Sequence, residues 1–166
     1  MIIKEILNRR SVREYKSKTV PQEHIFEIIK AGQFAPTAHN NRAIDFIVIR
    51  SQETKDRIFE IVGQEFTKEA QVLIIPVSDT TKTNFSVQDL SVASENMFLQ
   101  ATALGLGTVW KALKTERKEA EKIKKLLGIP KQYAAINIIP VGYPKNKPEP
   151  RTDKDFDDKK IHDEHW

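Results

Sequence analysis

The sequence predicts a single layered α+β domain, on three observations. Its 166 residues match the length of one ordinary globular domain. Hydrophobic residues make up 39% of the chain, which is enough for a packed core and unlike disordered or collagen-like sequences. Segments with helical and with strand-like apolar spacing follow one another without strict alternation, which favours an α+β arrangement over a doubly wound parallel sheet.

The first quarter of the chain predicts two helices separated by an extended segment. Apolar residues recur at helical spacing over residues 2–9, which predicts a short amphipathic helix. Residues 10–18 are predicted to be extended or loop. A second helix follows Pro21, which a first helical turn tolerates, and ends before Pro36. A loop over residues 35–41 comes next.

Two apolar runs then predict core strands with a helix between them. Residues 46–49 form a strand by their β-branched content, and Ser51 caps a helix that ends at Gly63. The second strand covers residues 72–77 and is apolar enough to cross a sheet covered on both faces. Pro76 within it is better suited to an edge or to a strand end, because proline donates no ladder hydrogen bond.

The second half of the chain predicts two more helices and two more strands. Residues 86–104 keep a helical period for about five turns, and residues 108–110 form a short strand after them. Thr115 is predicted to cap a charged helix that ends at Leu127. Residues 135–141 are the last core strand.

The residues from about Lys145 onward are predicted to form an extended tail of the same domain. This segment is rich in proline and holds six basic and seven acidic residues. No internal repeat or linker divides residues 1–166, so the whole chain is interpreted as one domain.

Cysteine and charge restrict the possible chemistry. The absence of cysteine excludes thiol nucleophiles, zinc–thiolate sites and iron–sulfur ligation, so any redox chemistry must come from a cofactor. The net charge is +4, and residues 1–18 alone hold six basic and two acidic residues. His162 and His165 have the spacing of a metal pair but no further ligand nearby, so no metal site is predicted.

The sequence also bears on location. No apolar run approaches the ~20 residues that cross a bilayer, and the first residues lack the layout of a signal peptide. We therefore expect a cytoplasmic protein without membrane contact. Glycine motifs of dinucleotide and P-loop sites, H-E-x-x-H and G-x-S-x-G are absent, which weakens those classes of function.

The sharpest local feature is Arg9-Arg10-Ser11-Val12-Arg13. In an extended segment Arg9, Ser11 and Arg13 lie on one edge at ~6.6 Å intervals. Guanidinium groups bind phosphate oxygens in a bidentate manner, and a serine hydroxyl donates a further hydrogen bond. The cluster therefore predicts a phosphate clamp, with a solvated basic loop as the equally simple alternative.

The chain resembles the nitroreductase family of flavin mononucleotide (FMN) enzymes in motifs that follow one another over nearly its whole length. The motifs that carry the resemblance are Arg9 to Tyr15, Ala35-Pro36-Thr37-Ala38-His39-Asn40, the helix ending Ala103 to Trp110, Leu127-Gly128-Ile129-Pro130, Pro140 to Pro144, and Pro150-Arg151 before a terminal His165-Trp166. The resemblance implies a three-layer α/β/α fold with a central, mainly antiparallel sheet. It also implies an obligate homodimer with FMN bound across the subunit interface.

The family motifs assign cofactor-binding positions to this chain. Those implied to hold the phosphate and ribityl group are Arg9, Arg10, Ser11 and Arg151, and Arg13 would approach the pyrimidine edge of the flavin. Those implied to reach the flavin from the partner subunit are Thr37, Ala38, His39 and Asn40. Those implied to border the ring by side chain or backbone are Trp110, Lys111, Ala112 and Leu113, and Gln64 is a candidate hydrogen-bond partner of the ring.

The implied activity is that of an NAD(P)H-dependent flavin oxidoreductase. In the family, hydride transfer is ping-pong, and a nitroaromatic, a quinone or a related small molecule accepts the electrons. The flavin carries the chemistry, so no catalytic side chain is assigned. The chain departs from the family at Arg42-Ala43-Ile44, where Gln-Pro-Trp is common, and it lacks the usual insertions around the substrate channel.

Two alternatives remain open at this point. A protein that binds or stores flavin without redox turnover would show the same motifs. A small basic nucleic-acid-binding module would use residues 9–18 and the charged helix over residues 111–125. No aromatic residues interleave that helix to stack bases, which favours a solvated face there and no nucleic-acid partner.

Overall fold

The computed structural model describes residues 1–166 and contains six α-helices and six strands. The helices are α1 (Lys4–Asn8), α2 (Gln22–Gln33), α3 (Gln52–Val62), α4 (Phe66–Glu69), α5 (Ser86–Ala103) and α6 (Glu119–Leu127). The strands are β1 (Ile44–Ile49), β2 (Val72–Asp79), β3 (Gly107–Thr108), β4 (Lys111–Ala112), β5 (Tyr133–Ala135) and β6 (Asn137–Gly142). The predicted α+β class is confirmed. No helix combines the length and the apolar character that a membrane span requires.

The strands form one antiparallel sheet with helices on both faces. Its main path runs β1-β2-β6-β3, while β5 pairs with β2 and β4 pairs with β6. Side chains of β2 alternate between the faces: Val72 and Ile74 pack with α2 and α5, whereas Leu73 and Ile75 pack with α3 and α6. All eight residues of β2 are buried, which explains its unbroken apolar run. This is the three-layer α/β/α arrangement that the resemblance implied.

The prediction that Pro76 suits an edge or a strand end is wrong, because β2 is a central strand. Pro76 pairs with Phe46 of β1. On the other side of β2, β6 pairs with residues 72–74 and β5 with residues 77–79. Pro76 thus lies where the partner strand changes, and no ladder hydrogen bond from its nitrogen is needed on that side.

Four further details differ from the sequence prediction. The predicted strand over residues 135–141 is divided between two strands, β5 and β6, which are separated by Ile136. The short helix α4 was not predicted, since four residues leave no periodic signal. The predicted strand over residues 108–110 is two short strands, β3 and β4, separated by Val109 and Trp110. Thr115 begins a 3₁₀ turn, and α6 begins only at Glu119, after Lys118 in the left-handed region at φ 51°. The Glu119 side chain accepts a hydrogen bond from the Lys114 N–H, which favours this interruption.

The predicted cap of α3 is confirmed, because the Ser51 side chain accepts a hydrogen bond from the Thr54 N–H at 3.4 Å. We expect Ser51→Ala to lower the free energy of unfolding by about 1 kcal/mol, since one N–H of the first turn loses its partner. Thr115→Ala is the matched control and should change stability by less than about 0.5 kcal/mol. Urea unfolding measures both, and equal losses would contradict the capping assignment.

The segment between α1 and α2 lies along the sheet edge, and we call residues 9–18 the arginine arm. The Val12 N–H donates to the Thr108 carbonyl and the Lys16 N–H to the Tyr143 carbonyl, both at 2.9 Å. Two glycines make room for it. A Cβ on Gly107 would lie 2.6 Å from Val12 Cγ2, and one on Gly142 would lie 2.8 Å from Tyr15 Cδ1. The arm therefore depends on the absence of side chains at two strand positions.

Candidate functional site

The arginine arm and the tail enclose a strongly basic cleft of about 550 Å³. Its lining residues are Arg9, Arg10, Ser11, Arg13, Pro148, Glu149 and Arg151. All five predicted cofactor-binding residues of the arm and the tail thus lie in one cleft, although about 140 positions separate Arg151 from the others. Four guanidinium groups and one hydroxyl around a concave surface suit a phosphate monoester, which guanidinium groups bind through paired hydrogen bonds.

Backbone contacts bring the tail to the cleft. The Arg151 N–H donates to the Leu7 carbonyl at 2.7 Å, and Arg10 Nη1 donates to the Glu149 carbonyl at 2.8 Å. Arg151 Nη1 lies 2.9 Å from Asp155 Oδ1. The Thr152 N–H and the Arg151 guanidinium hold the pKa of Asp155 below its ordinary value. The carboxylate therefore stays charged and orients Arg151 beside the arm.

The remaining cations of the clamp differ in their partners. Arg9 Nε lies 3.5 Å from Glu95 of α5, and both side chains are partly exposed, so this ion pair is weak. Arg13 forms no ion pair within the chain. Tyr15 anchors the arm beneath them, because its hydroxyl donates to the Val12 carbonyl at 2.7 Å. Burial raises the pKa of the Tyr15 hydroxyl above its ordinary value, which keeps that hydrogen bond donor protonated.

The loop that contains Thr37, Ala38, His39 and Asn40 lies in a different place. The Ala38 N–H donates to Asp89 Oδ1 of α5 at 2.9 Å, and the loop lines two other clefts of about 580 and 230 Å³. Non-glycine residues with positive φ cluster here, at His39, Asn40 and Arg42. Such strain is concentrated at functional loops. Within one chain, however, this loop does not line the basic cleft.

The segment from Trp110 to Leu113 presents side chains of very different exposure. Trp110 is 36% exposed and meets Phe98 edge to face at 6.2 Å between ring centroids. Ala112 is exposed, and Leu113 packs against the core on the α3 and α6 side. Lys111 turns inward, where its Nζ lies 2.8 Å from Glu119 Oε2. The Lys111 side chain is therefore not available to border a flavin ring, and only the backbone of this residue could do so.

The buried pair of Lys111 and Glu119 braces this segment. Glu119 is 0% exposed, and Oε2 accepts hydrogen bonds from Lys111 Nζ and from the Lys114 N–H, both at 2.8 Å. Burial raises the pKa of this carboxyl, but the two hydrogen bonds and the lysine charge outweigh burial and hold it below its ordinary value. Glu119 thus stays ionised and fixes both ends of residues 111–114.

Gln64 is the predicted residue that the structure places apart from the others. It is exposed just after α3, and its carbonyl accepts hydrogen bonds from Thr67. It lines none of the clefts described above. Gln71, which the sequence did not single out, lies beside the arm instead: its Nε2 is 3.5 Å from the Lys16 carbonyl. Its only sequence signal is its position directly before the central strand.

The chain is similar in sequence and in fold to known proteins of one family. The model of the nitroreductase family matches residues 6–79 and 62–143. A protein of Methanothermobacter thermautotrophicus, provisionally named an NADH dehydrogenase/NAD(P)H nitroreductase, is 37% identical over 99% of this chain and 87% of its own. The FMN reductase [NAD(P)H] of Bacillus subtilis is 26% identical over 88% of this chain and 67% of its own. A solved FMN-dependent nitroreductase of Clostridium difficile superposes with a TM-score of 0.93 at 29% identity, covering 99% of this chain and 100% of that one.

Proposed function

The chain belongs to the nitroreductase family, and we propose that it is an FMN-dependent oxidoreductase that takes electrons from NAD(P)H. The observation that carries the proposal is the convergence of Arg9, Arg10, Ser11, Arg13 and Arg151 on one cleft. The names of the relatives support both the cofactor and the electron donor.

The residues present fit this cofactor. Arg9, Arg10 and Arg151 offer fixed positive charge for its phosphate, and Ser11 adds a hydroxyl for the phosphate or the ribityl chain. Arg13, which has no ion pair of its own, would place positive charge at the pyrimidine edge. Trp110 presents an exposed indole at the edge of the 110–113 segment. These groups bind and orient, and none of them is a nucleophile.

When bound, FMN would supply hydride chemistry, passing electrons from NAD(P)H to a nitroaromatic, quinone or related acceptor in ping-pong order. This chain's contribution is the electrostatic environment. Fixed guanidinium groups in a concave site favour negative charge on whatever they hold. The buried Glu119 carboxylate holds residues 111–114 in place through Lys111 and the Lys114 N–H. Arg42-Ala43-Ile44 stands where the family commonly has Gln-Pro-Trp, so contacts there with the flavin or the dimer partner would differ from the common pattern. The missing insertions would change the substrate channel.

A second copy of the chain would complete the site. The loop over residues 37–40 lies outside the basic cleft of its own chain, so we propose that it reaches the flavin of a homodimer partner. The exposed apolar side chains on α2, α5 and the residues flanking them support such an interface: Phe26, Phe34, Phe85, Val87 and Val92. Large apolar side chains left in water on packed helices are typical of interaction surfaces.

The clamp assignment is tested with Arg9→Ala and Ser11→Ala. Removing a charged hydrogen bond to phosphate should weaken FMN binding about tenfold for Arg9→Ala and somewhat less for Ser11→Ala. Lys131→Ala, which removes an exposed unpaired charge far from the arm along the chain, is the matched control. Flavin fluorescence measures the affinity, and sedimentation checks that all variants keep the oligomeric state of the parent.

The redox assignment has a separate readout. NADH or NADPH should bleach the absorbance of the flavin-loaded protein under anaerobic conditions. A protein that binds FMN but is not bleached by either nucleotide would be a flavin-binding protein without turnover. A protein that takes up no FMN would contradict the proposal altogether, as would unchanged flavin affinity in both clamp variants.

A further inference from the structure

A second cleft lies on the opposite face of the arginine arm. It has a volume of about 470 Å³. From the arm it takes Arg10, Val12, Lys16 and Lys18, whereas Arg9, Ser11 and Arg13 face the first cleft. Apart from Arg10, which lines both clefts, even and odd positions of the arm face different clefts, because successive side chains of an extended segment point to opposite sides. The end of α5, the residues after β6 and the tail close the second cleft.

The cations of the second cleft form no ion pairs within the chain. None of Arg10, Lys16, Lys18 and Lys147 belongs to any of the eight ion pairs of the structure. No aspartate or glutamate lines the cleft. Four like charges around one concavity repel one another, and their fields add within it. A bound anion with more than one negative charge would relieve that repulsion.

The remaining wall of the cleft is suited to a ring. Tyr143 lies there with Lys18 Nζ 4.1 Å above its ring centroid. Pro144, Pro148 and Pro150 add rigid apolar surface beside it. A bare phosphate ion would use only the cations, while the volume lies in the range of pockets that enclose organic ligands. The chemistry that uses both parts is a phosphorylated molecule with a planar ring.

We propose that this second cleft binds a nucleoside phosphate, with its phosphates at Lys16, Lys18 and Lys147 and its base against Tyr143 and the prolines. The site is separate from the proposed flavin cleft, with which it shares only Arg10 and Pro148. It does not rest on the proposed oxidoreductase function, because the three lysines proposed to hold the phosphates, Lys16, Lys18 and Lys147, line only the second cleft.

The test uses ADP as the probe, added to the protein already saturated with FMN and followed by calorimetry. We expect one ADP per chain, bound more weakly as salt is raised. Lys18→Ala and Lys147→Ala should each weaken ADP binding about tenfold while FMN affinity stays unchanged. Lys131→Ala should leave ADP binding as it is in the parent. The varied lysines are exposed, so their loss does not threaten the fold.

Three results would overturn the proposal. The first is the absence of ADP binding at low salt. The second is ADP binding that survives both Lys18→Ala and Lys147→Ala, because the ligand would then lie elsewhere. The third concerns the nucleoside: pyrophosphate carries the same phosphoryl groups without a base, and equal affinity for pyrophosphate and ADP would reduce the cleft to a simple anion site.

Discussion

Gly107→Ala is expected to weaken FMN binding more than a hundredfold, although Gly107 belongs to neither the clamp nor the proposed ring contacts. The new methyl group would lie within 2.8 Å of three side-chain atoms of Val12, which is buried and branched at Cβ and cannot turn aside. The arm must then leave the sheet edge and take Arg9, Ser11 and Arg13 with it. Losing two charged hydrogen bonds, each worth about 1.5–3 kcal/mol, exceeds the effect of any single clamp variant.

The control removes the side chain that the new methyl group would meet, that of Val12. Val12→Gly combined with Gly107→Ala removes every atom named in the clash, so it should recover part of the flavin affinity. Flavin fluorescence gives the affinity, and circular dichroism confirms that the helices persist. If Gly107→Ala binds FMN as tightly as the parent, the arm does not owe its position to this glycine.

The elements with long periodic patterns were predictable from the sequence, and the reason is burial. Residues 72–79 are buried on both faces, and α5 keeps its apolar residues in register for five turns, so pattern and structure agree. Several of the short elements were not predictable. The two residues of β3 and of β4 pair with β6 only because distant parts of the chain meet, and no local signal encodes that.

The residues of the candidate site also divide into those that a local pattern predicts and those that only the fold brings together. The cluster at residues 9–13 is local, so its residue types alone indicate a phosphate clamp. Arg151 could be added only through the family resemblance, because its approach depends on the backbone hydrogen bond to Leu7. The roles of Gly107 and Gly142 could not be predicted, because no local pattern shows that Val12 and Tyr15 pack against these two glycines.

Lys111 shows that composition alone does not predict which charged residue is buried. It lies in a segment with seven basic and three acidic residues from Lys111 to Lys125, where the composition indicates a solvated charged face. Lysine and glutamate are almost never fully buried unless they are paired. The pairing of Lys111 with Glu119 requires the chain to reverse between β4 and α6, which is a tertiary property. The fold thus uses two residues of a charged run as a buried brace.

Breaking the buried pair of Lys111 and Glu119 is expected to cause a large loss of stability. Glu119→Gln is expected to lower the free energy of unfolding by about 3 kcal/mol, because it leaves the Lys111 charge buried without its counterion. Glutamine keeps the size of the side chain, so the loss reports charge and not a cavity. Urea unfolding at neutral pH measures it. Glu121→Gln, which removes an exposed charge two residues further along α6, is the matched control and should change stability by less than about 0.5 kcal/mol.

The pH dependence separates a charge effect from a packing effect. Because the folded pKa of Glu119 lies below its ordinary value of 4.5, the unfolded chain binds more protons at this group just below that pH. The carboxylate's contribution is therefore complete above about pH 5 and is lost as the pH falls through the lowered pKa. The stability gap between the parent and Glu119→Gln should be constant at neutral pH and should narrow in acid.

The double variant Lys111→Met with Glu119→Leu decides whether the pair stabilises the fold or only avoids an unpaired charge. Replacing both members of a buried ion pair with apolar residues of similar size is often neutral, so we expect most of the stability to return. We expect flavin affinity not to return with it, because no carboxylate then holds the Lys114 N–H and fixes residues 111–114. Full recovery of both properties would show that Glu119 has no positioning role. Recovery of stability alone would assign this buried carboxylate to the shape of the site.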